Sequence, residues 1–526
     1  MVKRWICAVL VVALALSILY IGKTTDDPDY SADRTMETAG DEPDEGKTVA
    51  DDNSLTLWYC DDALTEYLSS VALSYQQDHG VKVNIVLKDG VEFLETINEV
   101  SLEDAKERSE ALPDLYVTSH DNLLRAYLSG LAGIISDPSQ VVVPEMYPQT
   151  ALNAVTCYDH LVAYPFYYET NFFLYNKTYM ASIAQNRIEA EADLEEGEEA
   201  TKELEENGAP EEDAKETESA AADEGDDAAE AGEEENPMGE EDATADAEVL
   251  ERLATMIPST IEDIKTFANN YDAPEAVESV FKWDVSDIFY NYFFVGNYMD
   301  VGGEHGDNAA IFNIYNKQAV ECLSAYQAMN QFFSIDTKID SYDHILQDFI
   351  DGKMVFTVAT TDAIARIHDA QRDGKFDFEY GVSTLPDISD LLKARGLSVT
   401  DAVAINGYSE KKDEANMLAT YITNYKASDL YMKSGKVSCC KSVEYEDAEI
   451  ANIMNEYERS VPLPKMVEAA NYWVQLEIAF TKVWKGADPD ETLMELSDTI
   501  GAQIEKIKAN LPTQESFNAG GGGFIQ

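Results

Sequence analysis

Positive charge is scarce: 37 Lys and Arg stand against 101 Asp and Glu, for a formal net charge of −64. That imbalance excludes nucleic acid as a partner, because phosphates demand a basic face. Cysteine is also sparse. Cys7, Cys60, Cys157, Cys322, Cys439 and Cys440 show no metal-like spacing, and Cys7 lies inside an apolar run, leaving an odd number outside it. No disulfide framework is expected, and the adjacent Cys439 and Cys440 read as structural rather than redox-active. Missing too are a GxSxG elbow, an HExxH helix, a GxxxxGK[ST] loop, an EF-hand loop, a paired CxxC and any repeat of fixed period. Nothing therefore asks for a metal or a cofactor. Two carboxylates suffice for glycoside hydrolysis, but among 101 acids an arbitrary pair carries little information.

One stretch lacks the means to fold at all. Residues 189–251 hold 29 Asp or Glu against two Lys, with almost no aromatic or β-branched side chains. Such a segment cannot bury enough apolar surface to offset its ordering entropy, and its like charges repel. It is expected to be disordered or loosely helical, a solvated spacer looping out of the fold. About 400 residues remain for two or three domain-sized units.

Long apolar runs are limited to the N-terminus, where Lys3 and Arg4 precede an uninterrupted run from Trp5 to Ile21. A basic start before an apolar stretch is an export signal, here long enough to stay as an anchor, with the acidic remainder outside the cell. No small-x-small cleavage site follows it. Residues 1–24 are therefore expected to be a signal or membrane anchor, and 25–54 a polar tether.

Regular periodicity begins at "SLTLWYC", which reads as a buried strand. A helix ended by Gly80, the alternating strand "VKVNIVLKDG", a helix from about Glu92 to Glu110 and a third strand in "LPDLYVTSHD" follow. Strand and helix alternating in this way define a parallel α/β sheet, whose ligands bind beyond the carboxyl ends of the strands. Asp61, Asp62, His120 and Asp121 fall there. Past the acidic run, "PSTIEDIKTFANNY" opens a helix, and further helices span about Lys317–Phe333, Tyr342–Asp351, Lys411–Tyr425, Val467–Trp484 and Asp490–Lys508. Strands are expected in "GKMVFTVAT", "FEYGVSTLP" and "SVTDAVAINGYS". "DVGGEHGDN" has oxygen ligands enough for calcium, but its glycines favour a plain turn.

The segments "LTLWYCDDALTEYL", "LPDLYVTSHDNLLRAYLSGLAGIIS", "LVAYPFYYETNFFLYNKTYM", "STIEDIKTF", "FIDGKMVFTVATTDAI" and "YGVSTLP" occur in this order. Taken together, they make the chain resemble the family 1 extracellular solute-binding proteins, and most of all their maltose and maltodextrin branch, over about Leu55 to Lys508. The resemblance implies a two-lobed α/β fold of the periplasmic-binding-protein type with its ligand cleft between lobes. It implies a non-enzymatic, monomeric receptor that hands an oligosaccharide to the membrane permease of an ABC importer. Lobe 1 is expected over 55–166 and 400–452, lobe 2 over 167–188, 252–399 and 453–512, and a flexible tail over 513–526.

The same resemblance implies a site. It brings Glu169, after Tyr-Pro, into the cleft with Asp62, His120 and Asp121, and offers Tyr290 and Trp473 as aromatic platforms. Carboxylates accept hydrogen bonds from sugar hydroxyls, and rings cover apolar C–H faces. The sequence also departs from the branch. Ala63 and Asn122 stand where cations are usual, and Asp362 replaces an aromatic platform. A cationic or peptide solute thus stays open as an alternative ligand, as do a cell-surface glycoside hydrolase and an adhesion role for the acidic run.

Overall fold

The computed structural model describes residues 53–104, 108, 110–136, 140–206, 240–469 and 471–508. The apolar run at Trp5–Ile21, the tether up to residue 52 and everything after residue 508, the tail 513–526 included, lie outside these residues, while Ser54, expected to end the tether, opens the first strand. Among the described residues no helix is long and apolar enough to cross a membrane.

Ten strands form one sheet: β1 (Ser54–Tyr59), β2 (Lys82–Leu87), β3 (Leu115–Ser119), β4 (Ala163–Asn176), β5 (Ser279–Lys282), β6 (Met354–Thr360), β7 (Tyr380–Ser383), β8 (Leu397–Ile405), β9 (Val437–Ser438) and β10 (Val461–Pro462). The order is β2-β1-β3-β8-β4-β6-β5, with β7 and β9 on β4 and β10 on β8. The first three strands are parallel, as the strand–helix alternation requires, and the helix Thr65–His79 between β1 and β2 ends on Gly80 in the left-handed region at φ 70°. β8 and β4 then run antiparallel to their neighbours, so the sheet is mixed.

β4 ties the sheet together. Its residues 163–170 pair with β8 and its residues 171–175 with β6, so the ladder changes partner between Thr170 and Asn171. The strand runs unbroken through the lobe boundary expected near 166. Of its fourteen residues every one is buried except Glu169, as an almost wholly apolar strand covered on both faces must be.

Two large cores flank this strand. One unites Leu57, Tyr67, Phe166 and Val403 with Ile364, Leu430 and Tyr457. The other is aromatic and gathers Phe173, Phe281, Trp283, Phe294, Tyr326 and Trp484. The aromatic block "DIFYNYFFVGNYM" enters it as two short 3-10 turns, Ile288–Tyr290 and Tyr292–Phe294, rather than as a long element. Asn291 holds these turns, taking a hydrogen bond from Trp283 Nε1 at 2.9 Å and donating to the Asp284 carbonyl at 2.9 Å. Burying each such ring contributes about 2 to 3 kcal/mol.

Helix Ile261–Asn270 starts at Thr260 in a capping box with Asp263. The helix expected over Glu92–Glu110 stops at Leu102. Helix also covers both flanks of the acidic run. Lys177–Glu206 leads into it and Glu240–Met256 leads out, the two joined by a bidentate Arg252–Glu191 pair whose longer contact is 3.0 Å. Residues 207–239 lie outside the described residues.

Candidate functional site

The register of the central strands decides which side chains share a face. Cα partners Ser119, Asp401 and Tyr167 lie side by side across β3, β8 and β4, and Glu169 follows Tyr167 at the two-residue period of a strand. A bulge interrupts the β8–β4 ladder here: Asp401 opposes Tyr167 and Ala402 opposes Pro165, leaving Phe166 as the extra residue. Its carbonyl is satisfied by Cys439 N–H at 3.0 Å. Bulges re-aim neighbouring side chains, and this one sits beside Tyr167 and Asp401.

The same alternation, carried from Leu57 through Tyr59, brings Asp61 to this face and turns Asp62 away from it. Asp62 opens a short 3-10 turn and is exposed. Asp61 is half-buried, caps that turn through Ala63 N–H at 3.0 Å and reaches Lys436 Nζ at 2.9 Å. Lys436 also meets Glu169 Oε1 at 3.2 Å and lies 5.2 Å from the centre of the Tyr167 ring. Burial opposes the lysine's charge, yet hydrogen bonds and charge from Asp61 and Glu169 hold its pKa above the ordinary value. Burial, reinforced by Glu169, Asp121 and Asp61 against the opposing pull of Lys436, pushes the Asp401 carboxyl up to about 8. A cavity of about 230 Å³ opens beside this cluster, lined among others by Cys60, Asp61, Phe93, Arg125, Tyr167 and Asp401.

Asp121 is exposed and takes a short hydrogen bond from Ser119. His120, expected beside it in the cleft, leaves β3 on the opposite side and has no exposed surface. Its Nδ1 accepts from Thr400 N–H and its Nε2 donates to the Leu463 carbonyl, both at 3.0 Å. With both nitrogens committed to backbone, it has no atom left for a solute. Burial and the nearby Lys465 lower its pKa to about 4.

A second group comes from the far side of β4. Tyr290 is 8 % exposed and stacked on Tyr342, ring centres 4.8 Å apart, so one face is already covered. The half-buried Tyr342 is the ring of this pair that reaches the surface, donating to Asp362 Oδ1 at 2.7 Å. The Thr360 hydroxyl donates to Asp362 and lies 2.9 Å from the Tyr342 hydroxyl, and Arg366 stands 3.6 Å from Asp362. Trp473 is half-buried on the helix Tyr472–Trp484, edge-on to Tyr292 with centres 5.4 Å apart. The two groups flank one seam. The turn that carries Lys436 has Gly435 at φ 69°, where an added Cβ would meet Ala365 of the Asp362–Arg372 helix at 3.4 Å. Close by, His368 of that helix holds Asp447 at 2.9 Å and takes a longer contact from Tyr431.

Asp61 and Glu169 thus hold Lys436, with Asp401 and Asp121 adding acid to the same face, while Tyr290, Tyr342 and Asp362 form the opposing group. Sequence reasoning passed over Lys436, Asp401 and Tyr342. An aspartate inside the apolar strand "SVTDAVAI" and a lysine directly after a turn glycine were the available signals.

Mixed sheet, central shared strand and flanking cores make up a two-lobed α/β architecture. The family model described as bacterial extracellular solute-binding protein matches residues 71–453, and the chain belongs to that family. No curated protein matches its sequence. Among solved structures it resembles an extracellular solute-binding protein from Staphylococcus aureus in complex with maltose, at TM-score 0.63 and 18% identity, covering 87% of this chain and 99% of that one. A cyclo/maltodextrin-binding protein complexed with maltotetraose matches at TM-score 0.61 and 17% identity over 88% and 99% of the respective chains. The maltose-binding periplasmic protein from Listeria monocytogenes matches at TM-score 0.59 and 19% identity over 86% and 98%. At such identities the likeness establishes the fold.

Proposed function

We propose that the protein is the solute-binding component of an ABC importer, held outside the cytoplasmic membrane by its N-terminal apolar run, and that it binds a maltodextrin-like oligosaccharide without turning it over. The observation that carries this reading is Glu169, the one partly exposed position of β4, whose side chain is 46 % exposed and paired with Lys436 next to the junction of the two sheet halves. A carboxylate fixed by a lysine presents two acceptor oxygens in set directions, which suits vicinal hydroxyls. Tyr342 and Trp473 offer apolar ring surface from the other side. Solute touching both groups favours the state in which the lobes meet, and the permease reads that state. The protein acts as a monomer in this reading, with no nucleic acid partner.

A second reading has one observation in its favour: two carboxylates, Asp61 and Glu169, meet a single lysine, and the exposed Asp121 lies on the same face. That excess of acid suits a cationic solute. Calorimetric titration of residues 50–512 with maltodextrins, other oligosaccharides and polyamines separates the two. Saturable oligosaccharide binding without product supports the importer reading, and release of shortened sugar refutes it in favour of a hydrolase.

A further inference from the structure

The site has more acid than base, yet its one lysine is not placed as a peripheral counter-ion. Lys436 Nζ lies between Asp61 Oδ2 at 2.9 Å and Glu169 Oε1 at 3.2 Å, with the face of Tyr167 5.2 Å away. A carboxylate pair and an aromatic face form the cage in which a ligand's ammonium group is ordinarily held. Here the chain fills that cage with its own ammonium.

We propose that Lys436 sets the charge specificity of the cleft: as a built-in cation among Asp61, Glu169 and Asp401 it turns amines away and leaves the carboxylate oxygens to neutral hydroxyls. This rests on the oligosaccharide reading above and sharpens it. The backbone supports the role. Gly435 takes a left-handed conformation, Lys436 N–H donates to Ser434 Oγ at 3.2 Å, and Val437–Ser438 pairs at once with Tyr168 and Tyr167 of β4. The ammonium is therefore delivered from a turn anchored on both sides, and an arriving amine cannot displace it without unpairing two carboxylates. Asp401 is the remaining acid of the face, and burial keeps its carboxyl protonated through neutral pH, so it adds little pull on a cation.

The test is titration of the wild type, Lys436→Met and Lys436→Arg with spermidine, glucosamine and maltotriose, each variant first shown folded by circular dichroism. Lys436→Met keeps the apolar stem and empties the cage, so it is expected to gain saturable spermidine or glucosamine binding, at least about tenfold tighter than the wild type. Lys436→Arg keeps the charge and is expected to reject both amines. A wild type that already binds the amines overturns the proposal, as does a folded Lys436→Met that still rejects them. Should the wild type bind no sugar while Lys436→Met takes the amines, the charge gate stands and the oligosaccharide reading alone falls.

Discussion

The backbone N–H of Thr400 donates to Nδ1 of His120 at 3.0 Å, one residue beyond the last Cα pair of the β8–β3 ladder. With Nε2 donating to the Leu463 carbonyl, the ring acts as an extra rung that ties the end of β3 to β8 and to the residue after β10. Removing it orphans two buried backbone groups. His120→Ala is expected to lower stability on the order of 3 kcal/mol, read as a fall in melting temperature. Solute affinity of the folded fraction should hold, since the ring reaches no solute.

The same ring makes stability depend on pH. Its folded pKa of about 4 lies below the ordinary 6.5, so the unfolded chain binds the proton first. The stability due to neutral His120 is complete above about pH 6.5 and drains away as pH falls toward 4. Comparing melts of the wild type and His120→Gln at pH 7 and pH 4.5 should show the gap between them narrowing at the lower pH.

Glu456 has the opposite sign. It is wholly buried, its Oε2 accepts from Leu385 N–H at 3.0 Å, and burial pushes it from 4.5 up to about 7. Asn171 Oδ1 has no hydrogen-bond partner, and a Cβ on Gly396 would meet it at 2.5 Å and Glu456 Oε1 at 3.1 Å. The stability this proton gives is complete below about pH 4.5 and is lost as pH rises through about 7. Glu456→Gln keeps an acceptor and adds a permanent donor. It is expected to be more stable than the wild type at pH 8, by roughly 1 to 3 kcal/mol, with the advantage fading by pH 5. Equal pH slopes for the two proteins would contradict this.

Neighbouring acids at the end of β1 should behave differently. Asp61→Asn and Glu169→Gln each remove a carboxylate that Lys436 holds toward the cleft, and are expected to weaken solute binding by about tenfold to a hundredfold. Asp62→Asn, on the exposed side of the 3-10 turn, should leave the affinity alone. Parallel calorimetry of the three variants checks the alternation directly.

The acidic arm offers a further test. Arg252 pairs with Glu191, and from that pair Glu206 is 15 residues onward while Glu240 is 12 residues back. At 1.5 Å per helical residue both ends lie about 20 Å from the pair. Replacing residues 207–239 by a short glycine linker is therefore expected to preserve melting temperature and solute affinity. A loss of affinity would assign the acidic run a part in binding.

Strong local periodicity made much of the fold legible. β1, β2 and the helix Thr65–His79 carry their own alternation and terminator, and Thr260 with Asp263 marks a helix start three residues apart. The helix Ala448–Arg459 went unread although Ile450, Ile453 and Tyr457 bury one face behind the Asp447 cap. The aromatic block around Tyr292 has no period of either kind, because its rings are placed by Asn291 and the surrounding core. Within the site, Glu169 was legible from its apolar surroundings. Asp61 and Asp62 both stand at the end of β1, the resemblance chose Asp62, and a one-residue phase is what brings Asp61 to Lys436. Lys436 reaches Glu169 across 267 residues of chain, a pairing that no local pattern announces.

The partner change in β4 has a mechanical corollary. Because Thr170 belongs to one ladder and Asn171 to the next, a rotation of one sheet half against the other, as the proposed closure requires, would bear on that peptide. Displacement grows with distance from a pivot. In a closure about that peptide, Glu169, one residue from it, would move less than Tyr342 and Asp362. If the proposed closure turns on that peptide, Glu169 would hold a solute near the axle while the rim that carries Tyr342 and Asp362 closes over it.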